Sequence, residues 1–429
     1  MNVRPLNRLK VVLVEKQRTS KWLAEQLGVS TVTVSKWCTN MHQPDLQTLA
    51  KIADLLGCKK TRTYHRIDMP KSKIHKRRGK LPSIEVVDLF CGIGGLSYGM
   101  KSKGLKIKAG FDWDWTCLYA YETNNEAKFI FKDIRTVQKE DIIPFYSKKS
   151  IKVLAGCAPC QPFSSYAFKN KNKDKKKYNL LYEFGRLVKD VQPDIVTMEN
   201  VPAIASFKLQ SVLGDFVNTL EAEGYYVSYH VVYCPDYGIP QTRRRLVLLA
   251  SKLGEIELIS PTHQKDNYVT VGDVISNLPP LQAGEECPTD KLHRCRALSA
   301  LNMRRIEATP YGGSWRDWPK ELMLNCHKKE GGKSFGSVYG RMTWEEPAPT
   351  MTTLCTGIGN GRFGHPVQHR AISAREAALF QTFPIKYKFF PNEQEVSLVK
   401  ASRYIGNAVP PRLGEVIAES IKKHIRTHK

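Results

Sequence analysis

No run of about eighteen apolar residues occurs in the chain, which argues against an ordinary membrane-spanning helix. The opening residues, Met1-Asn2-Val3-Arg4-Pro5, lack the apolar core of a secretory signal, so a cytosolic location is expected. Acidic residues are in deficit: 41 Asp plus Glu stand against 66 Lys plus Arg, a formal net charge of +25. Such a balance favours a polyanionic partner, because phosphates neutralised by protein cations release their counterions. The 11 cysteines are odd in number and irregular in spacing, which argues against a disulfide framework and for reduced thiols. Cys157 and Cys160 have Cys-x-x-Cys spacing, but no second such pair accompanies them, so no metal site is expected. Pro162 and Phe163, just after them, do not suggest a redox pair. Apolar residues are plentiful, at 41% with 10% aromatics over 429 residues, enough for a globular chain of about two to four domains.

Residues 1–58 read as a small all-α domain. Trp22, Leu23, Leu27, Val29, Val34 and Trp37 recur at helical spacing, broken at Gly28. Ser30 suits the N-cap of the following helix. Asp45 suits another, with Leu46, Leu49, Ile52 and Leu56 on one face and Gly57 as the stop. Residues 59–82 form a basic linker, whose first 22 positions hold ten Lys or Arg and one acid, Asp68. A second basic run, Lys169 to Lys177, follows the Cys157–Cys160 pair. A solvated face remains open for either run.

From Ile84 onward, strand candidates alternate with helical patterns: Ile84–Phe90, Ile107–Phe111, Lys152–Ala155, Ile195–Met198 and Leu246–Leu249. This rhythm predicts a mostly parallel α/β sheet, with ligands beyond the carboxyl ends of its strands. It holds over 83–262, is lost over 263–372, and returns in helical patterns at Ala374–Gln381 and Arg412–Ile425. Residues 263–372, rich in Gly, Pro, Trp and Arg, are expected to form an irregular domain, with 373–399 a hinge back to the sheet domain at 400–429.

The polar residues closing each strand are the candidates for chemistry. Asp88-Leu89-Phe90-Cys91-Gly92-Ile93-Gly94-Gly95 makes a glycine-rich strand-to-helix turn, where backbone can approach a ligand. A plain tight turn is the competing reading. Asp112-Trp113 ends the next strand with a carboxylate for ribose hydroxyls and a flat face for adenine. Asp133-Ile134 closes a third. Cys160, held between Pro159 and Pro162, is placed as a nucleophile. Glu199 ends an apolar strand, where a carboxyl group can hand a proton to a ring nitrogen, the competing reading being a helix-cap or ion-pair glutamate. Arg243 and Arg245 alternate and so share one strand face, able to pair with a carboxylate or phosphate, the competing reading being a surface basic cluster.

Taken in order, DLFCGIGG, Asp112-Trp113, Asp133-Ile134, GCAPCQPFS, MENV, QTRRR, PAPTMTT (347–353) and GNAVPP (406–411) resemble the cytosine-C5 DNA methyltransferase family over residues 84–425. The resemblance implies a Rossmann-like S-adenosylmethionine-dependent fold, with 263–372 as the target-recognition domain. It implies a cofactor pocket lined by Phe90, Gly92, Ile93, Gly95, Asp112, Trp113, Asp133, Ile134, Pro159, Asn407 and Ala408. It implies Cys160, Glu199, Arg243 and Arg245 as the catalytic set, with Gln161, Ser164 and Thr350 on the DNA. Two positions depart from the commoner pattern: Lys177 stands where Arg is frequent, and the cysteine loop reads GCAPC.

The first 58 residues resemble a phage-repressor-like helix-turn-helix. Helices at about 19–27 and 30–38 flank Gly28, and Thr31, Thr33, Ser35 and Lys36 are expected to face DNA. A simple helical packing unit is the plainer reading of the same pattern. The resemblance implies double-stranded DNA as substrate, operator DNA as a ligand of the extension, and a restriction endonuclease sharing the target sequence. A homodimer through the extension is a further expectation. Two alternatives stay open: a catalytically inactive DNA-binding regulator, and an RNA C5-methyltransferase.

Overall fold

In the computed structural model the described residues are 9–16, 18–39, 44, 46–56, 82–159, 179–205, 210–392 and 396–428. Asp45, Gly57, Cys160, Gln161, Ser164, the run Lys169–Lys177 and nearly all of the basic linker lie outside them. The chain divides into two compact units, 1–79 and 80–429.

The first unit contains α1 (Leu9–Glu15), α2 (Ser20–Leu27), α3 (Thr31–Cys38) and α4 (Leu46–Leu55). Thr19 caps α2, its hydroxyl accepting from Trp22 N at 3.0 Å. Gly28 ends that helix at φ 66°, a left-handed position that glycine fills without strain. Ser30 caps α3, accepting from Thr33 N at 3.1 Å. Leu9, Val12, Leu13, Leu23, Val34, Trp37, Ile52 and Leu56 close one small core.

The second unit is built on a seven-stranded sheet. Its elements run β1 (Ile84–Leu89), α5 (Gly95–Ser102), β2 (Lys106–Asp112), α6 (Leu118–Asn125), β3 (Lys128–Phe131), α7 (Lys139–Ile142) and β4 (Ile151–Gly156). Then come α8 (Asn179–Val191), β5 (Ile195–Asn200), α9 (Gln210–Ala222), β6 (Tyr226–Tyr233) and β7 (Arg244–Ser251). The strand order is β3-β2-β1-β4-β5-β7-β6, and β7 pairs antiparallel with both of its neighbours. Period-two burial sorts the strand side chains into two layers. Ile84, Val86, Ile151, Val153, Val247 and Leu249 face the core beneath α5 and the C-terminal helices Leu398–Asn407 and Pro411–His428. Val87, Leu89, Leu154, Val196, Met198, Leu246 and Leu248 face α8 and α9.

The expected strands are all present. β6 escaped the sequence reading because it is an edge strand, largely exposed, and mixes Tyr, Ser and His with Val. The order reverses at β1 and β4, so the crevice beyond their carboxyl ends is the natural ligand site.

Residues 263–372 belong to the second unit and hold little regular structure: α10 (Val271–Ile275), β8 (Glu286–Cys287), β9 (Asp290–Arg294) and α11 (Ala300–Glu307). Their Arg and Trp content is in good part structural. Trp315 and Trp318 are buried, and His327 stacks on Trp315 with ring centres 4.1 Å apart. Arg341, 3% exposed, donates to the carbonyls of Ile306, Thr309, His365 and Gln368. A segment with few ladders must satisfy its buried carbonyls otherwise, and guanidinium groups do so here.

The closing elements are α12 (Ala374–Phe380), α13 (Leu398–Asn407) and α14 (Pro411–His428). Six of the seven α12 residues are buried, so the segment expected to be a hinge contributes core. Within it, Glu376 takes a bidentate pair of 2.8 Å bonds from Arg370, and both side chains are wholly buried.

Candidate active site

β1 ends in a turn that only a special backbone can make. Phe90 at φ 58° and Gly92 at φ 50° are both left-handed. This aims the Gly92 amide at Asp112 Oδ2, 2.8 Å away at the end of the adjacent strand. Asp114 N donates to the other oxygen, Oδ1, at 2.9 Å. Two backbone donors thus hold the Asp112 carboxyl in place, while burial pushes its pKa up. A side chain on Gly92 would meet no atom within 4 Å, so open space lies over this turn. Trp113 is 73% exposed, with its ring free to stack.

The other residues expected around the cofactor divide by role. Gly95 is buried, and a Cβ on it would come 2.2 Å from Val409 O; its lack of a side chain serves packing of α5 under the 408–411 turn. Ile93 is buried, and its carbonyl accepts from the Tyr387 hydroxyl. Ile134 packs in the core with Phe111 and Val137. Asp133 caps a short turn and pairs with Arg135. Asn407 is exposed at the end of α13, and Ala408 is half-buried. Arg403, on the same helix, reaches Asp114 at 3.0 Å, tying α13 to the Asp112–Asp114 turn.

At the exit of β4, Cys157 N donates to Leu89 O at 3.2 Å, bringing this loop alongside the β1 turn. Pro159 is exposed. The Asn200 amide donates to Ala158 O at 3.2 Å, and its oxygen accepts from Val201 N at 2.8 Å, so the end of β5 braces the cysteine loop. Burial and the Glu199 and Asp88 carboxylates push the Cys157 thiol well up, which suits it poorly to thiolate chemistry.

Glu199, 7% exposed, sits at the end of β5. Arg245 Nε is 2.9 Å from its Oε1. The ion pair is not aligned as a hydrogen bond, and that buried oxygen has no hydrogen-bond partner among the described residues. Arg243 was expected to share its work. Instead its guanidinium donates to Met351 O at 3.0 Å, Ala408 O at 3.4 Å and Gly406 O at 3.5 Å. It lies before β7 rather than in it, and burial lowers its pKa to about 9.

The same joint contains two glutamines that the sequence reading did not select. Gln241 Nε2 donates to Phe380 O at 2.8 Å, and its oxygen accepts from Met351 N at 3.1 Å. Gln381 donates to Ile405 O at 2.6 Å and Ala408 O at 2.9 Å. Thr350 hangs on this frame, its hydroxyl bonded to Thr242 O at 3.1 Å. Gln241 stood within a selected segment, but Gln381 carried no signal in the sequence.

The cofactor fits this donor set. The positioned Asp112 carboxyl, the open ring of Trp113 and the uncovered turn at Gly92 are what an adenosine and a cationic sulfonium need.

In the first unit, α3 exposes Thr31, Ser35 and Lys36 as expected. Thr33 differs: it is half-buried, with its hydroxyl 2.8 Å from that of Ser30 in the cap. Val32 is exposed in its stead.

Residues 84–423 match the family model described as C-5 cytosine-specific DNA methylase, and residues 8–60 match that of the Cro/C1-type helix-turn-helix DNA-binding domain. Among curated relatives, the Type II methylase M.HgiDII of Herpetosiphon aurantiacus is 52% identical over 340 residues, covering 79% of this chain and 95% of that protein. The Type II methyltransferase M1.BsuMI of Bacillus subtilis is 32% identical over 359 residues, covering 78% and 80%. Among solved structures, a prophage-encoded DNA modification methyltransferase of E. coli shares the fold with a TM-score of 0.62 at 22% identity, covering 80% of this chain and all of that one. The chain belongs to the C-5 cytosine-specific DNA methylase family: it is a DNA cytosine-5 methyltransferase with a Cro/C1-type helix-turn-helix domain ahead of its catalytic unit.

Proposed function

We propose that the enzyme serves a Type II restriction–modification system, methylating C5 of one cytosine in a specific duplex sequence after that base is turned out of the stack. The names of its relatives support the setting. Extrusion is required because the edge of a stacked ring is sheltered. The observation that carries the chemistry is Glu199: a buried carboxyl whose Oε1 is ion-paired with Arg245 at 2.9 Å but has no hydrogen-bond partner among the described residues, on the strand beside the one that leads to Cys160.

Cytosine C5 is a poor nucleophile until a thiolate adds at C6. Cys160 supplies that sulfur, forming the S–C6 bond. Glu199 accepts from the exocyclic amine and delivers a proton to N3, which draws the developing charge off the ring. Arg245 holds Glu199 in place, while Arg243 holds the frame around it. Bound S-adenosylmethionine supplies the methyl group as an electrophile. Asp112 and Trp113 would hold its ribose and adenine, with Phe90, Gly92, Asp133, Pro159, Asn407 and Ala408 around them, while the buried Ile93, Gly95 and Ile134 pack the elements behind that pocket. Loss of the C5 proton then breaks the S–C6 bond and frees Cys160. Gln161, Ser164 and Thr350 hold the backbone of the extruded nucleotide.

A duplex containing 5-fluorocytosine at the target tests this, because fluorine cannot leave as the proton does. With cofactor present, the wild-type chain should become covalently joined to DNA through residue 160, and Cys160→Ser should not. Absence of the adduct in the wild type overturns the mechanism. Methyl transfer to tRNA in preference to duplex DNA would establish the RNA reading instead.

The N-terminal unit represses its own operon in this proposal, binding operator DNA as a homodimer through α3. A restriction endonuclease shares the methylated sequence. Deleting residues 1–79 should abolish promoter binding and leave methylation largely intact.

A further inference from the structure

We infer that Val32 is the base-reading residue of α3, and that it reads the C5-methyl group of a pyrimidine in duplex DNA, carried by thymine or by 5-methylcytosine. The inference rests on the reading of the N-terminal unit as a DNA-binding domain. It names the chemistry that this domain recognises.

α3 buries Val34 and Trp37 and leaves Thr31, Val32, Ser35 and Lys36 exposed. At 3.6 residues per turn these four positions fall together on one face. Thr33 is drawn off into the cap with Ser30. Val32 is 60% exposed and stands outside the core that Val34 and Trp37 complete. It lies in the first turn of the helix, the part of a recognition helix that approaches base edges. Its branched side chain has little rotamer freedom to lose on contact.

The occupant follows from what surrounds it. One apolar side chain among two hydroxyls and an ammonium offers far less apolar area than a protein interface needs. α3 has no acidic residue, and Lys36 lies in its last turn, which suits a polyanion. Within the major groove the apolar feature at a base edge is the methyl on pyrimidine C5. Thr31 and Ser35 can then hydrogen-bond neighbouring edges while Val32 covers the methyl.

5-Methylcytosine presents its methyl at the same ring position as thymine. The product of the catalytic unit therefore has the chemistry that this helix reads. An operator containing the modified sequence would change its affinity for α3 once methylated, coupling repression to the methylation already achieved.

The test uses the full chain and randomised duplexes. Sequences enriched by the wild type and lost with Lys36→Glu are those read through α3. In such a site, each thymine is replaced in turn by uracil, and each cytosine by 5-methylcytosine. At one position per half-site, loss of the thymine methyl should weaken wild-type binding about four- to tenfold, or gain of the cytosine methyl strengthen it as much. The first result assigns thymine as the source and the second 5-methylcytosine. Val32→Ala, a surface change that leaves the core intact, should bind the methyl-bearing site correspondingly more weakly and respond less than twofold to the methyl. If no position responds, or Val32→Ala responds as the wild type does, the inference is overturned. If no enriched sequence depends on Lys36, the DNA-binding reading of the unit fails as well.

Discussion

Arg245 Nε stands 2.9 Å from Glu199 Oε1, joining the start of β7 to the end of the antiparallel β5. The pair is formed before any base arrives, so the carboxyl group is already oriented when a cytosine enters. Preorganisation of this kind costs nothing at the moment of reaction. The proposed mechanism needs the charge and proton of Glu199, and not only its shape. Glu199→Gln should therefore cut methyl transfer by about 10²- to 10⁴-fold while duplex binding persists. Tritiated methyl incorporation and a binding titration measure the two; a variant retaining a tenth of the activity contradicts the assigned role.

The two arginines of the QTRRR segment should fail differently. Arg243→Met removes the guanidinium donor from Met351 O and Gly406 O, while Ala408 O keeps Gln381, and about 2 kcal/mol or more of stability should be lost. Arg245→Lys keeps the charge but not the planar fork, so turnover should fall while the urea midpoint stays near that of the wild type. Denaturation and initial rates on both variants decide it. The reverse pattern would place Arg243, and not Arg245, at the base.

The glycines of the first loop separate a ligand-facing position from a packing one. Gly92→Ala enters open space but forces a left-handed alanine, costing about 1 kcal/mol. Its main effect should be a raised KM for S-adenosylmethionine. Gly95→Ala drives a methyl group into the Val409 carbonyl, and about 1–3 kcal/mol of stability should go. Thermal unfolding with and without cofactor distinguishes them; equal melting points for the two variants would contradict the assignment.

Acid should weaken the second unit through its buried imidazoles. Burial pushes His365 and His424 down to about 4, below the 6.5 of an ordinary histidine. The unfolded chain takes up those protons near 6.5 and the folded chain only near 4. Their contribution to stability is therefore complete above about pH 6.5 and is lost as pH falls toward 4. Protonating His365 would also disturb Nδ1, which accepts from Gln368 N at 3.0 Å. Asp88, 1% exposed and pushed up to about 7 by burial, acts in the opposite sense. It stays protonated in the fold where the unfolded chain has ionised it, so its contribution falls as pH rises from about 4 to about 7. Comparing slopes isolates the histidine: between about pH 7 and pH 5 the wild type should lose more stability than His365→Gln. Parallel pH profiles would rule this out.

Much of this enzyme is legible in its sequence because the signals are local. Short, nearly continuous apolar runs mark β1, β2, β4, β5 and β7, since a strand in a sheet covered on both sides buries both of its faces. Gly28 and Ser30 mark the turn between α2 and α3, since a left-handed residue and a side-chain cap are short-range requirements. The order of the Pro159-Cys160-Gln161, MENV and QTRRR segments was enough to suggest the family.

The rest depends on contacts between residues far apart in the chain. Nothing local in Gln381 says that it will bond Ala408 and Ile405, or that Gln241 will meet Phe380 and Met351. Arg243 and Arg245 look equivalent along the chain; only the packing of 351 and 406–408 against β7 commits one to backbone carbonyls and leaves the other to Glu199. Thr33, expected to face DNA, is half-buried with its hydroxyl bonded in the cap, whereas Val32, which the sequence reading did not select, is exposed. Sequence by itself determined which chemical groups this protein possesses and which elements carry them. Tertiary structure decided which groups are left unpartnered, because a buried polar atom takes whatever donor or acceptor the fold brings within reach, and only what remains is free for a substrate.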